Sequence, residues 1–239
     1  MKYLATSVAL CIGLLSARGV NAALVSALGG KVVNDTDFNI AWLANANLAA
    51  TNTFGLTYGV NYGNDSYGNP SIIEADGLMT WGGAQKWIAA MNAANYLGYN
   101  DWRLPTTLQP DASCEYQSSG DSYGYNCTGS EMGHLFYTEL GGVAGNDITT
   151  AHNANYSLFS NLQSVFYWSG TEYAPDPAFA WLFGTNGGTQ DYAPKGNYLY
   201  ALAVRTGQVT VTPLPTSAWL FGSGLLVLIG LGRQSQLNT

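Results

Sequence analysis

His134 and His152 are the only imidazoles in the 239-residue chain, so chemistry that needs an imidazole must run through one of them. A cysteine–histidine enzyme also needs a free thiolate. Of the three cysteines, Cys11 falls in an N-terminal apolar stretch that reads as a removable leader, which leaves Cys114 and Cys127. An even pair in an exported chain is expected to form a disulfide. The spacing of the two is neither CxxC nor that of a zinc site, so neither redox chemistry nor metal binding is expected of them. The sequence leaves a Ser–His–Asp triad open, but no G-x-S-x-G nucleophile elbow is read in its support. His134 stands beside Leu135 and Phe136 and reads as a packed or half-exposed histidine.

The carboxylates offer one calcium-like pattern. "DTDFN" places Asp35, Asp37 and Asn39 at alternate positions, as an EF-hand loop begins, but Ile40 stands where the turn glycine belongs and Ala46 where the bidentate glutamate should be. The segment therefore reads as a polar turn before the strand "NIAWLA". Arg103, in "DWRLPT", is expected to pair with a nearby carboxylate such as Asp101 while Trp102 and Leu104 pack. A ligand-binding surface is best sought in "FGTNGGTQDYAPKGNY", which carries Asn186, Gln190, Asp191, Tyr192, Lys195 and Asn197. A planar tyrosine beside amides and a carboxylate suits sugar hydroxyls, and the same residues also suit an ordinary polar hairpin. No catalytic residue, metal or cofactor is expected.

These residues need elements to hold them. After Thr80, a good N-cap, "WGGAQKWIAAMNAANYLG" sets Trp81, Ala84, Ile88, Met91 and Asn95 near one helical stripe, with Trp87 beside it and Gly98 as the stop. "SEMGHLFYTELGG" predicts a second helix, capped by Ser130, with Met132, Leu135, Phe136 and Leu140 inward and Gly141–Gly142 as terminator. "VFYWSGTEY", "AFAWLFG" and "YLYALAVRTG" read as strands; the second puts Phe179, Trp181 and Phe183 on one face, and the third alternates through Tyr198, Tyr200, Leu202 and Val204. "GVNYGNDSYGNPS" is the most loop-like stretch, a surface excursion. Strands, then two helices, then strands in hairpin succession predict a single α+β domain with mostly antiparallel strands.

Both ends read as addresses. Lys2, the apolar "LATSVALCIGLL" and the small-residue site "VNA" form a signal peptide, residues 1–22. The body, 23–211, keeps five bases and fifteen acids, a net charge of 5 − 15 = −10. That surface repels nucleic acid and sulphated polysaccharide and leaves neutral sugars or cations as partners. Residues 212–233 hold Pro213, Leu214 and Pro215, an apolar helix expected over 217–232, and Arg233; a short polar tail, 234–239, follows. The apolar run is marginal against the roughly 20 residues of a comfortable transmembrane helix. This tail resembles the PEP-CTERM class of sorting signals in a PLP variant. The resemblance implies recognition by an exosortase-type membrane peptidase, a transient membrane anchor, and delivery to the envelope, surface or matrix.

The segments "NDTDFNIAWLANANLA", "GLMTWGGAQKWIAAMN", "GYNDWRLPT", "MGHLFYTELG", "YWSGTEY" and "YALAVRTG" resemble the Lcl C-terminal domain family. The resemblance covers nearly the whole body and implies a C-type-lectin-like fold, related also to formylglycine-generating-enzyme domains. It supplies no catalytic set. "QPD" at Gln109 to Asp111 echoes a lectin sugar motif, but lies earlier in the chain than lectins place theirs, and calcium-dependent binding there is not expected. The expected function is non-enzymatic binding of neutral glycan or matrix by an exported surface protein. The alternatives are a secreted enzyme on the same fold and a structural matrix component without a small ligand.

Overall fold

The computed structural model describes residues 24–118 and 120–210. The expected signal peptide, Pro213, Leu214, Pro215, Arg233 and the expected apolar helix lie outside the described residues. Among the described residues no helix is long and apolar enough to cross a membrane.

Short β-branched and apolar runs start the chain: β1 (Leu24–Ala27), β2 (Val32–Asp35) and β3 (Ile40–Leu43) pair antiparallel as successive hairpins. β2 and β3 are buried along their whole length. The sheet is completed from far away in sequence. β10 (Val204–Thr206) inserts between β3 and β4 (Trp102–Arg103), giving the order β1-β2-β3-β10-β4. Just beyond β10, the Asn34 amide donates to the Val209 carbonyl and accepts from its N–H, at 2.7 and 2.9 Å.

α1 (Trp81–Ala93) forms where expected, and the Thr80 side chain accepts from the Gly83 N–H at 3.2 Å. Ala84, Trp87, Ile88 and Met91 are buried, whereas Asn95 leaves the stripe. Asn95 adopts a left-handed conformation (φ 49°) that ends the helix before Gly98, a role its short polar side chain tolerates. The second helix is shorter and less regular than the periodicity predicts. α2 (Glu131–His134) runs directly into a π-turn, Leu135–Glu139, and then Gly141 at φ +70°. Met132, Leu135, Phe136 and Leu140 are buried as expected. Ser130 makes no side-chain cap; its hydroxyl accepts from the Leu108 N–H at 2.9 Å.

The later strands make a separate antiparallel sheet, β7 (Phe166–Glu172), β8 (Phe179–Gly184) and β9 (Thr189–Pro194). β8 is central, so Ala180 and Leu182 are buried along with Trp181 and Phe183, rather than one face alone. "YLYALAVRTG" is strand only at β10; Ala201 to Val204 are all buried, so the expected alternation gives way to a fully enclosed stretch. Between the sheets, the small hairpin β5 (Tyr116–Ser118) and β6 (Asp121–Tyr123) is stapled at its base by the Cys114–Cys127 disulfide. The described residues thus form an α+β domain with two helices and antiparallel sheets. Five of its largest fully buried side chains are tryptophans: Trp42, Trp87, Trp102, Trp168 and Trp181.

Candidate functional site

The excursion Gly59 to Ser71 folds back over the start of α1. The Tyr62 N–H donates to the Ser71 carbonyl (2.8 Å), and the Asn61 side-chain oxygen accepts from the N–H groups of Gly63 and Ser71, each at 3.0 Å. Asp65 pins the tip by accepting from Tyr67 and Asn69 N–H, both at 2.9 Å. The result is a cleft of about 260 Å³ between Tyr62, Asn64 and Asp65 on one side and Trp81, Gln85 and Lys86 on the other.

Each wall brings different chemistry. Trp81 is partly exposed; its indole N–H is spent on the Ser169 carbonyl (2.8 Å), so the ring offers apolar surface rather than a donor. The Lys195 ammonium lies 4.3 Å from the ring centroid, a cation–π contact that fixes the ring's position. Burial alone would raise the Asp65 carboxyl, yet the Asn69 side chain and the Asn69 and Tyr67 N–H groups hold it below its ordinary value, so it stays an anionic acceptor. The Gln85 and Lys86 side chains have no hydrogen-bond or ion-pair partner among the described residues, which leaves an amide and an ammonium uncommitted at the rim. An aromatic face with a few convergent polar groups is the usual make-up of a small-ligand site.

The six residues expected to bind ligand do not converge. Most of their segment is the β8–β9 hairpin, closed by Thr185 to Gly188. Gln190 is 1 % exposed and donates to the Ser122 carbonyl (2.9 Å). Lys195 is 2 % exposed and pairs with Glu172 beneath the Trp81 cleft. Asn186, Asp191 and Asn197 are exposed. So is Tyr192, whose ring stacks on Tyr173 with centroids 3.9 Å apart, above Trp181. Tyr173 in turn donates its hydroxyl to Asp121 of β6 (2.9 Å), so the hairpin presents a second, flatter aromatic surface.

Arg103 does not pair with Asp101. It reaches Glu131 on α2, and Asp101 is held by Arg205 instead, at 2.8 and 2.9 Å. The reason is register: β4 and β10 pair Trp102 with Arg205, which brings Arg205 beside Asp101. In "QPD", the Gln109 side chain bonds the Ser122 backbone in both directions, and Asp111 is 2 % exposed and accepts from Ser113 and Gly129. Both are committed internally. Gly120–Gly124 does spell G-x-S-x-G, which the expectation of no nucleophile elbow overlooks. It lies in the β5–β6 hairpin, however, and Ser122 is buried, donating to Gln117 and accepting from the Asp111 N–H. His152 stacks on Tyr156 (4.1 Å). His134 is 7 % exposed, 3.8 Å from Asp35 and 3.2 Å from Glu139.

The fold and the cleft define a disulfide-bonded α+β domain with a shallow cleft lined by an indole and polar groups. The chain belongs to the Lcl C-terminal domain family, whose model matches residues 31–205. That membership suggests an extracellular domain. No curated protein and no solved structure matches the chain significantly. The cleft residues Tyr62, Asn64, Gln85 and Lys86 escaped sequence reasoning. Their nearest signal was the density of Tyr, Asn and Gly in the excursion, read there as a surface loop alone.

Proposed function

We propose that this is an exported, non-enzymatic surface or matrix protein that binds neutral glycan in the Trp81 cleft. The observation that carries the reading is the pairing of a fixed, partly exposed indole with an unpartnered amide and ammonium at Gln85 and Lys86. A sugar ring stacks its C–H face on an indole while its hydroxyls take hydrogen bonds from amides and carboxylates. The C-type-lectin-like fold that the family resemblance implies belongs to the same reading. So does the address: the signal peptide directs export, and an exosortase-type membrane peptidase recognises Pro213–Leu214–Pro215, the apolar run and Arg233, then removes the tail. The membrane is a partner only until that cleavage, and nucleic acid is not a partner at a body charge of −10.

The β8–β9 hairpin supports a second reading, because Tyr192 and Asp191 are exposed side by side on a stacked aromatic base. A glycan array probed with the body, residues 23–211, separates the two. Selective binding of neutral glycans that weakens about tenfold or more in Trp81→Ala supports the cleft. Loss in Tyr192→Ala with Trp81→Ala unaffected moves the site to the hairpin. No binding by a folded, disulfide-bonded sample in either calcium or chelator leaves a structural matrix component. The address is checked by mass spectrometry of the protein co-expressed with an exosortase: an N-terminus at Ala23 and a missing tail are expected.

A further inference from the structure

The turn between β2 and β3 and the π-turn after α2 meet at three buried ligand-type side chains. We propose that Asp35, His134 and Glu139 form a binding site for one divalent transition-metal ion, zinc foremost, that fastens the Thr36 to Asn39 turn to the second helix.

One donor atom from each residue lies within 4.8 Å of the others, and the residues are 0, 7 and 2 % exposed. The His134 Nε2 and Glu139 Oε1 atoms face each other at 3.2 Å, yet they are not aligned as a hydrogen bond, and each is buried without such a partner. Unsatisfied buried polar atoms of this kind are rare because each forgoes its hydration. Two buried, unpaired donor atoms at this separation, with Asp35 Oδ2 3.8 Å from the imidazole, make a compact ligand-type set. An ion about 2.1 Å from each atom would see these two pairs at about 100° and about 130°, on either side of the roughly 109° of a tetrahedron.

The surroundings prepare the donors. Asp35 Oδ1 accepts from the N–H groups of Asp37 and Phe38 (3.2 and 3.0 Å), and the Trp42 indole N–H reaches Oδ2 at 3.4 Å. These bonds orient the carboxylate toward His134, as outer partners do in metal sites. The Phe38 ring stacks on the imidazole at 4.0 Å and fixes its plane. The π-turn brings in the third donor. In a regular α-helix, residues five apart point about 140° away from each other, whereas the turn Leu135–Glu139 widens the spiral and returns Glu139 to the face of His134.

Charge points the same way. Neither carboxylate has a lysine or arginine partner among the described residues, and exposed Asp37 acts electrostatically on both His134 and Glu139. A bound cation would offset this concentration of buried negative charge. Calcium does not suit the set, because it prefers six to eight oxygens and finds an imidazole here.

The test uses the full chain without a histidine tag, stripped with chelator and titrated with Zn²⁺ by calorimetry, and with Co²⁺ followed by its visible spectrum. One equivalent of Zn²⁺, a rise in unfolding temperature, and a tetrahedral cobalt spectrum are expected. Glu139→Gln, which preserves shape, is expected to weaken binding by at least about 100-fold, while His152→Gln binds as the parent does. Failure of the parent to bind either ion overturns the proposal, as does unchanged affinity in a folded Glu139→Gln variant or loss of binding in His152→Gln. If Glu139→Gln does not fold, the parent's stoichiometry and cobalt spectrum still decide.

Discussion

Arg103 holds Glu131 through two parallel hydrogen bonds of 2.7 and 2.6 Å, and the same carboxylate accepts the Thr106 N–H at 2.7 Å. β4 is thereby joined to the first turn of α2, and with it to the π-turn that carries Glu139. Bidentate pairs of this kind depend on the planar guanidinium fork, which lysine lacks.

Replacing Arg103 by alanine is expected to destabilise the domain by about 2–3 kcal/mol, because the buried Glu131 loses its main partner. Arg103→Lys should recover less than half of that. Urea unfolding followed by tryptophan fluorescence measures both, and equal stability of the lysine variant and the parent would refute the bidentate role.

Gly133 lies where α2 presses on the disulfide loop. A Cβ at this position would fall 1.8 Å from the Cys127 carbonyl oxygen, a backbone atom with little freedom to move. Gly133→Ala is expected to cost about 3 kcal/mol, read as a lowered unfolding temperature. A parent-like melting curve would mean that α2 can lift from the loop.

The Cys114–Cys127 bridge closes a loop of sequence separation 13. Substituting both cysteines by serine should remove about 3 kcal/mol through the greater freedom of the unfolded chain. Reduction of the parent should reproduce the loss, and serine variant and reduced parent should then melt together.

Asp101 gives a pH dependence whose sign is fixed by its partner. The Arg205 hydrogen bonds hold its carboxyl below the ordinary value of 3.8, against a smaller effect of burial. A depressed carboxyl stabilises the fold above the unfolded-state value, and that contribution fades as pH falls through the folded value. Asp101 is 47 % exposed, so the effect is small and screened by salt. Asp101→Asn should flatten the acid side of the stability profile below about pH 4; a slope as steep as the parent's would assign the acid sensitivity elsewhere.

What could be read in advance was local. Thr80 and the apolar spacing after it place α1, the paired cysteines place the disulfide, and turn residues mark the hairpins. Each of these follows from chemistry within a few residues. The partners that matter at the sites are remote instead. Glu131 lies 28 residues from Arg103, Trp81 meets a loop that arrives from before it, and Asp35 of β2 meets His134 of α2 from far away in the sequence. "DTDFN" was legible as a carboxylate pattern but not as half of a site, because its other half depends on a π-turn that helical periodicity smooths over.

The place of β10 governs when this chain can become a protein. Its three residues fill the middle of the first sheet, flanked by strands made more than a hundred residues earlier, and Val209 closes on Asn34. Until those residues have left the ribosome, β3 and β4 lack the strand that joins them. A form shortened before β10 therefore lacks the middle strand of the first sheet and the Val209–Asn34 closure.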